Sequence, residues 1–256
     1  MFGFTEGSDI GRRGDLEGEV ETVGRFGRQA STYSAVSTTP TVKYGVTDQF
    51  RIAPAVTVSS YAISGLDGSA DQNRLSFDAV SLEFRYHPLD RASAPVGLTF
   101  VATPFVGFTN PADGVPADRF GALFIAVADR ALIPGQLYAA LNLSYQLERD
   151  REQASGLAID GSILGFNAAA SRRLSSWLYL GGEARYLRAF SGLALDALAG
   201  QALYVGPTFY APVVKGVTLS GAWDVQVWGQ AADVGRGLDL TNFERHQVKL
   251  RLSFDL

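Results

Sequence analysis

The feature that most constrains this chain is a period-two alternation of apolar and polar residues, which recurs from residue 16 onwards. It is clearest at 245–256, where every second residue from His246 to Leu256 is apolar or aromatic and nearly all the residues between them are polar or charged. Successive side chains of a strand point to opposite faces, so each such segment predicts a strand with one apolar and one polar face. The segments run for about 11 to 14 residues, whereas strands of globular proteins average about 5 to 6 and a tilted membrane-crossing strand needs roughly 9 to 11. This length favours membrane-crossing strands over a soluble β-sandwich, the alternative in which the apolar face is buried between two sheets.

Twelve strands are predicted, at 16–26, 33–44, 50–62, 79–87, 96–108, 119–130, 137–148, 161–173, 177–189, 201–213, 217–229 and 245–256. The alternation is blurred by small residues and proline in the segments 33–44, 119–130 and 161–173. Short and long connections follow one another, except that the connection at 27–32 is short where a long one is expected. An even number of strands joined by alternating turns and loops is typical of bacterial outer-membrane barrels. The predicted fold is therefore all-β, a transmembrane antiparallel up-and-down β-barrel of about twelve strands over residues 16–256.

Composition excludes several other classes of protein. The formal net charge is −4 and no basic cluster is present, which argues against a nucleic-acid binder. The chain has no Cys and only two His, so a disulfide framework and a Cys or His metal site are not expected. No stretch reaches the roughly 18 uninterrupted apolar residues of a membrane helix. No cofactor and no metal are predicted.

Residues 1–15 show no strand alternation and are predicted to lie in the periplasm, as a flexible tail or a small plug. The first residues lack the basic and apolar regions of a secretory signal, so we expect Met1 to stand in place of a removed signal peptide. The segment Leu193–Ala199 has helical propensity, which allows a short helical gate over the pore as well as an ordinary structured loop. Aromatic residues fall near the ends of the predicted strands, which suits two interfacial girdles, although several of them would point inwards. They include Phe50, Tyr61, Tyr86, Phe108, Tyr138, Tyr145, Trp177, Tyr179, Tyr186, Tyr204, Tyr210 and Trp228.

Several stretches resemble a group of proteobacterial outer-membrane proteins described as transporters, which are similar to the family named for the MetA pathway of phenol degradation. The stretches are Phe2 to Gly11, Lys43 to Arg51, Leu89 to Leu98, Glu183 to Asp196 and Leu238 to Gln247. The resemblance implies an outer-membrane barrel that passes a small solute, and it does not identify that solute. Most barrels of this kind end in an aromatic residue read by the barrel assembly machinery, whereas this chain ends in Leu256.

If the apolar faces meet lipid, the polar faces line the lumen, where charge controls what can pass. The candidate lining residues are Arg51, Glu83, Arg85, Asn142, Gln146, Glu183, Arg185, Asp224, Gln226, Arg245, Lys249 and Arg251. Two Glu-x-Arg pairs, at 83–85 and 183–185, lie on strands nearly opposite each other in a ring of twelve. The first and last strands would be neighbours, so the acidic row of Glu17, Glu19 and Glu21, which Arg25 continues, is expected to pair with the basic residues of the last strand. Self-neutralising ion pairs that fill the interior explain the same residues equally well.

The predicted function is an outer-membrane channel or porin-like protein for passive passage of small solutes. The alternatives are a structural barrel with a filled interior and, third, a barrel-embedded lipid-modifying enzyme. A hydrolase would need His87 to hold a Ser or a carboxylate, since His246 shares the apolar face of its strand, and no catalytic residues are assigned. The expected partners are outer-membrane lipid, lipopolysaccharide, the assembly machinery and an unidentified solute, with no nucleic acid.

Overall fold

A computed structural model describes residues 1–232 and 237–256 of the protein. These residues form twelve antiparallel strands that close into a barrel in simple up-and-down order, with β1 hydrogen-bonded to β12. The strands are β1 (Leu16–Phe26), β2 (Thr32–Thr47), β3 (Phe50–Ser64), β4 (Gln72–Leu89), β5 (Gly97–Thr109), β6 (Pro116–Ile133), β7 (Leu137–Glu152), β8 (Ala158–Arg173), β9 (Tyr179–Ser191), β10 (Ala197–Val214), β11 (Val217–Ala231) and β12 (His246–Asp255). The predicted fold class is confirmed, including strands in the three blurred segments. No helix in the described ranges is long and apolar enough to cross a membrane.

The two ends of the barrel differ. One end, here called the turn end, holds both chain termini and the connections 48–49, 90–96, 134–136, 174–178 and 215–216. The opposite end, here called the loop end, holds the remaining connections, including the one between β11 and β12. Part of the predicted connection 230–242 falls at 233–236, outside the described residues. Closure pairs each of the twelve described strands on both sides, so none of them has an open edge that meets water or lipid.

The alternation read from the sequence sets which face of each strand points inwards. On β12, Val248 and Leu250 are exposed on the outer wall, whereas Gln247 and Lys249 are buried inside. β4 begins at Gln72, seven residues before the predicted start. The prediction missed these residues because a β-bulge near Ala79 shifts the alternation. Before the bulge the odd-numbered residues face outwards, as Leu75 and Phe77 do. After it the even-numbered residues face outwards, as Leu82 does.

The structure decides between the two alternatives for 193–199 in favour of an ordinary loop, and it corrects the placement of two aromatic residues. Leu193–Ala199 forms no helix: 192–196 is a tight connection, and β10 starts at Ala197. Tyr61 and Tyr204 belong to no outer girdle, because both are fully buried on the inner face, whereas Tyr86 and Trp228 are exposed outside.

Candidate functional site

The N-terminal segment, defined as residues 1–15, enters the lumen from the turn end. At the mouth the amide of Gly14 donates to the carbonyl of Gly45 at 2.7 Å, and that of Arg13 donates to Asp48 at 2.9 Å. Further in, Phe2, Thr5 and Ser8 are all buried against the barrel wall. The segment lies inside the barrel rather than extending away from it, and so has the form of a plug and not of a free tail.

Two of the predicted lining residues hold the backbone of this segment. The carboxylate of Glu183 accepts hydrogen bonds from the amides of Phe4 and Thr5 and from the hydroxyl of Thr5, each at 2.8 Å. The side chain of Asn142 binds both backbone groups of Glu6: it accepts from the Glu6 amide at 2.6 Å and donates to the Glu6 carbonyl at 3.0 Å. Buried backbone groups require such partners, so these side chains replace the pairing that a strand would otherwise supply.

Asp129 forms a third anchor, nearer the turn end. It accepts from the amide of Ser8 at 3.0 Å and from its hydroxyl at 2.7 Å. Arg91, on the connection between β4 and β5, contacts both Asp129 and Asp9 of the segment. A Cβ atom placed on Gly97 would lie 3.0 Å from the Cβ of Ser8, so glycine is needed there for the segment to approach the wall.

Glu6 is the charged centre of the N-terminal segment. Its carboxylate lies 2.7 Å from Arg251, 3.4 Å from Arg85 and 3.6 Å from Lys249. Burial alone would raise the pKa of Glu6, but the three cations outweigh burial and hold it well below its usual range. The segment thus bridges β12 to β4 across the lumen.

Ion pairs between neighbouring strands surround this centre. Arg251 and Lys249 on β12 approach Glu21 on β1 at 2.7 and 2.9 Å, which confirms the predicted acid–base pairing across the barrel seam. Lys43 on β2 continues the row, at 2.8 Å from Glu17 and 2.5 Å from Glu19.

The two Glu-x-Arg pairs differ in their partners. Glu83 accepts from Arg51 at 2.8 Å and lies 3.4 Å from Arg85. Arg185 does not pair with Glu183; it donates to Asp224 at 2.6 Å and to Gln247 at 2.5 Å. Its guanidinium carbon also lies 3.9 Å from the ring centre of Phe4, a cation–π contact with the N-terminal segment.

A cavity of about 530 Å³ remains in the lumen beside the N-terminal segment. One side is charged and includes Lys43, Glu83 and Arg251, and the other is apolar and includes Leu123 and Ile125. Charged residues of both signs line it in nearly equal number, and most of them are already paired with one another. The space is therefore polar but carries little uncompensated charge.

The loop end is covered from inside by the chain that precedes β12. Asp239 and Phe243 are buried there, and the side-chain amide of Gln226 binds the backbone amide of Asp239 at 2.5 Å and its carbonyl at 3.1 Å. Tyr204 donates to the carbonyl of Glu244. The lumen is thus covered towards both ends.

Eleven of the twelve candidate lining residues lie on the inner wall. The exception is Arg245, which is exposed just before β12 and contributes its backbone, not its side chain, to the barrel. Gln146 also points inwards but lies towards the loop end, where it donates to Glu148 at 3.2 Å. Sequence reasoning missed Glu6 and Asp129 as members of the site.

The two histidines are placed as follows. His87 is buried near the turn end, and its Nδ1 lies 2.8 Å from the hydroxyl of Thr99. Thr99 in turn donates to the carbonyl of Ser8 at 2.6 Å, so His87 supports the N-terminal segment through Thr99. His246 lies on the outer face of β12, near Trp223.

Comparison with known proteins places the chain in a family. The family of unknown function DUF6662 matches it over residues 1–256. The chain belongs to that family. Among curated proteins none matches it. The resemblance to the MetA-pathway family stays a prediction.

Solved structures share the fold at low sequence identity. The COG4313 outer membrane channel from Pseudomonas putida F1 is 14% identical with a TM-score of 0.62, over 97% of this DUF6662 chain and 98% of that one. The β domain of the Bordetella autotransporter Brka is 10% identical with a TM-score of 0.58, over 95% and 100% of the two chains. The NanC porin is 12% identical with a TM-score of 0.52, over 93% and 100%. These likenesses support the outer-membrane type of barrel, whose members include channels and porins.

Proposed function

We propose that this DUF6662 protein is a bacterial outer-membrane channel for passive passage of small solutes, closed at rest by its N-terminal segment. The observation that carries the proposal is the polar cavity of about 530 Å³ beside a segment whose residues 1–13 take no part in the barrel's strand ladder. An eight-stranded barrel is just filled by its own side chains, whereas twelve strands enclose additional space. Here the additional space is taken partly by residues 1–15 and partly by the cavity.

Opening of the turn end requires that residues 1–13 leave their wall contacts. Within the described ranges the segment is joined to the barrel backbone only at Gly14 and Asp15, which bind Gly45, so displacement of residues 1–13 breaks side-chain hydrogen bonds and ion pairs but no strand ladder. Asp15 joins the segment directly to β1 at the turn end, so a displaced segment moves towards that mouth. Water and a neighbouring carboxylate remain available to each cation that the segment releases.

The proposed function involves no catalysis. His87, the histidine nearest the lumen mouth, contacts the Thr99 hydroxyl and through it the N-terminal segment. This arrangement is better suited to positioning the segment than to activating a nucleophile.

A structural barrel with a filled interior is the second candidate function. The cover at the loop end favours it, because Asp239 and Phe243 are buried there, as Phe2 of the N-terminal segment is at the turn end. Ion conductance separates the two candidates, since a filled structural barrel conducts no ions in any state.

Single-channel recording in planar bilayers tests the proposal. The wild-type protein is compared with a variant that lacks two anchors of the N-terminal segment, Asn142→Ala with Glu183→Ala. Gln146→Ala is the control, because Gln146 faces the lumen but contacts Glu148 and not the segment. We expect brief openings of the wild type and of the control, and long openings of the anchor variant. An anchor variant that stays silent would favour the structural barrel, provided that heat-modifiable mobility in gels shows it folded and flotation with lipid vesicles shows it inserted.

A further inference from the structure

A polar row crosses the outer wall of the barrel near the loop end, on a surface that is otherwise mainly apolar. Arg188 on β9 is the register partner of Gln201 on β10, and Gln201 is the partner of Gln230 on β11. Because Arg185 and Tyr204 face inwards, the alternation places all three members of this row outwards. Three consecutive polar residues at one level of an outer wall need an explanation, since burying polar groups in hydrocarbon is costly.

The level of the row is given by the aromatic residues beside it. One step towards the middle of the barrel, Tyr186, Leu203 and Trp228 form the neighbouring outward row across the same three strands. Tyr and Trp collect where hydrocarbon meets the headgroups of a membrane. The polar row therefore lies just beyond that belt, at the depth of the headgroups on the loop side.

The row presents hydrogen-bond donors. The hydroxyl of Tyr186 donates to the Oε1 atom of Gln201, which leaves the NH₂ group of Gln201 free to donate elsewhere. The guanidinium of Arg188 stacks 5.2 Å from the ring centre of Phe190. Within the described ranges it has no carboxylate partner, and its buried Nε has no hydrogen-bond acceptor. By contrast, the outward Arg149 is fully paired with Asp160 through two bonds of 2.6 Å.

We propose that Arg188, Gln201 and Gln230 bind a phosphate group of an anionic lipid headgroup in the outer leaflet, the lipid A phosphate of lipopolysaccharide. A guanidinium and amide donors match the geometry and charge of phosphate oxygens. The assignment rests on the outer-membrane location in the proposed function but not on conductance, so a silent barrel leaves it intact.

Trp228 provides a reporter next to the row. Trp177→Phe and Trp223→Phe leave it as the one tryptophan, and its emission is followed in the refolded full chain as lipid A is titrated into detergent. Arg188→Gln removes the charge, and Arg149→Gln is the matched control because it removes the same charge from a paired arginine. Gln201→Ala is a second variant in case Arg188→Gln folds poorly.

Saturable binding of lipid A is expected, with affinity reduced about tenfold or more by Arg188→Gln, reduced less by Gln201→Ala and unchanged by Arg149→Gln. Dephosphorylated lipid A should bind as weakly to the parent chain as lipid A does to Arg188→Gln. The proposal is overturned if the dephosphorylated lipid binds equally well, or if both arginine variants behave alike. Saturation by inorganic phosphate at the same concentration as lipid A would assign the row to free phosphate instead and would also overturn it.

Discussion

Replacing Glu6 by glutamine tests whether ion pairs hold the N-terminal segment in the lumen. The change keeps the shape of the side chain and removes its charge. The shortest contact that is lost joins Glu6 to Arg251 at 2.7 Å, and the contacts with Arg85 and Lys249 are longer. Each of the three cations keeps a second carboxylate, Glu21 for Arg251 and Lys249 and Glu83 for Arg85.

The free energy that docks the N-terminal segment should therefore weaken by about one charge-assisted hydrogen bond, roughly 1.5 to 3 kcal/mol. Since about 1.4 kcal/mol corresponds to a factor of ten, the ratio of released to docked segment should rise about ten- to a hundredfold. If the docked segment closes the pore, the open probability of single channels rises by the same factor until it saturates.

The matched control is Glu17→Gln, which removes the same charge from a carboxylate that pairs with Lys43 at the edge of the barrel. Glu17 makes no ion pair or hydrogen bond with residues 1–10, so its variant should open as rarely as the wild type. The reasoning is refuted if Glu6→Gln and Glu17→Gln show the same open probability, or if Glu6→Gln closes the channel further.

Three more outcomes are expected. Arg185→Ala should destabilise the barrel by about 3 kcal/mol, seen as a lower urea midpoint in lipid vesicles, because it leaves the fully buried Asp224 unpaired; an unchanged midpoint would contradict the pairing. Acidification from about pH 7 to about pH 5 should leave the open probability unchanged, because the lowered pKa of Glu6 keeps its ion pairs intact until the pH falls well below the ordinary value of about 4.3; opening at about pH 5 would contradict this lowered pKa. Arg85→Gln should shift the reversal potential in a salt gradient towards cation preference, because Glu83 loses one of its two cations, and no shift would remove Arg85 from the lining.

Periodicity predicted the strands and most of their inward faces, because apolar and polar residues must alternate along a strand whose outer face is apolar and whose inner face is polar. The pattern of β12 is complete from His246 to Leu256, so its inner cations were identified from sequence. The same rule failed at the bulge in β4, where one extra residue shifts the alternation and hid the first seven residues of the strand.

The N-terminal segment could not be placed from sequence because its contacts are long-range and lack a period. Glu6 is one charge in a glycine-containing stretch, and its partners lie about 80 and 250 residues away along the chain. Asp129 was missed because β6 carries apolar residues on both faces: Leu123 and Ile125 point inwards beside the cavity, whereas Phe124 points outwards. Charge pairing across the barrel seam was predictable because closure forces β1 and β12 together.

Tethering the N-terminal segment to the wall tests the central claim most directly. The chain contains no cysteine, so Ser8→Cys with Gly97→Cys introduces a single possible disulfide. A Cβ atom built on Gly97 would lie 3.0 Å from the Cβ of Ser8, shorter than the roughly 3.5 to 4.5 Å of a disulfide, so the segment must shift outwards by about half an ångström when the bond forms. Gly97→Cys alone is the control for the crowding that this side chain causes. Single-channel current is recorded from the inserted double variant before and after addition of a reductant. The account predicts silence in the oxidised state and discrete openings once the tether is reduced. Equal conductance in both states would contradict closure by this segment, and silence in both states would contradict a channel function.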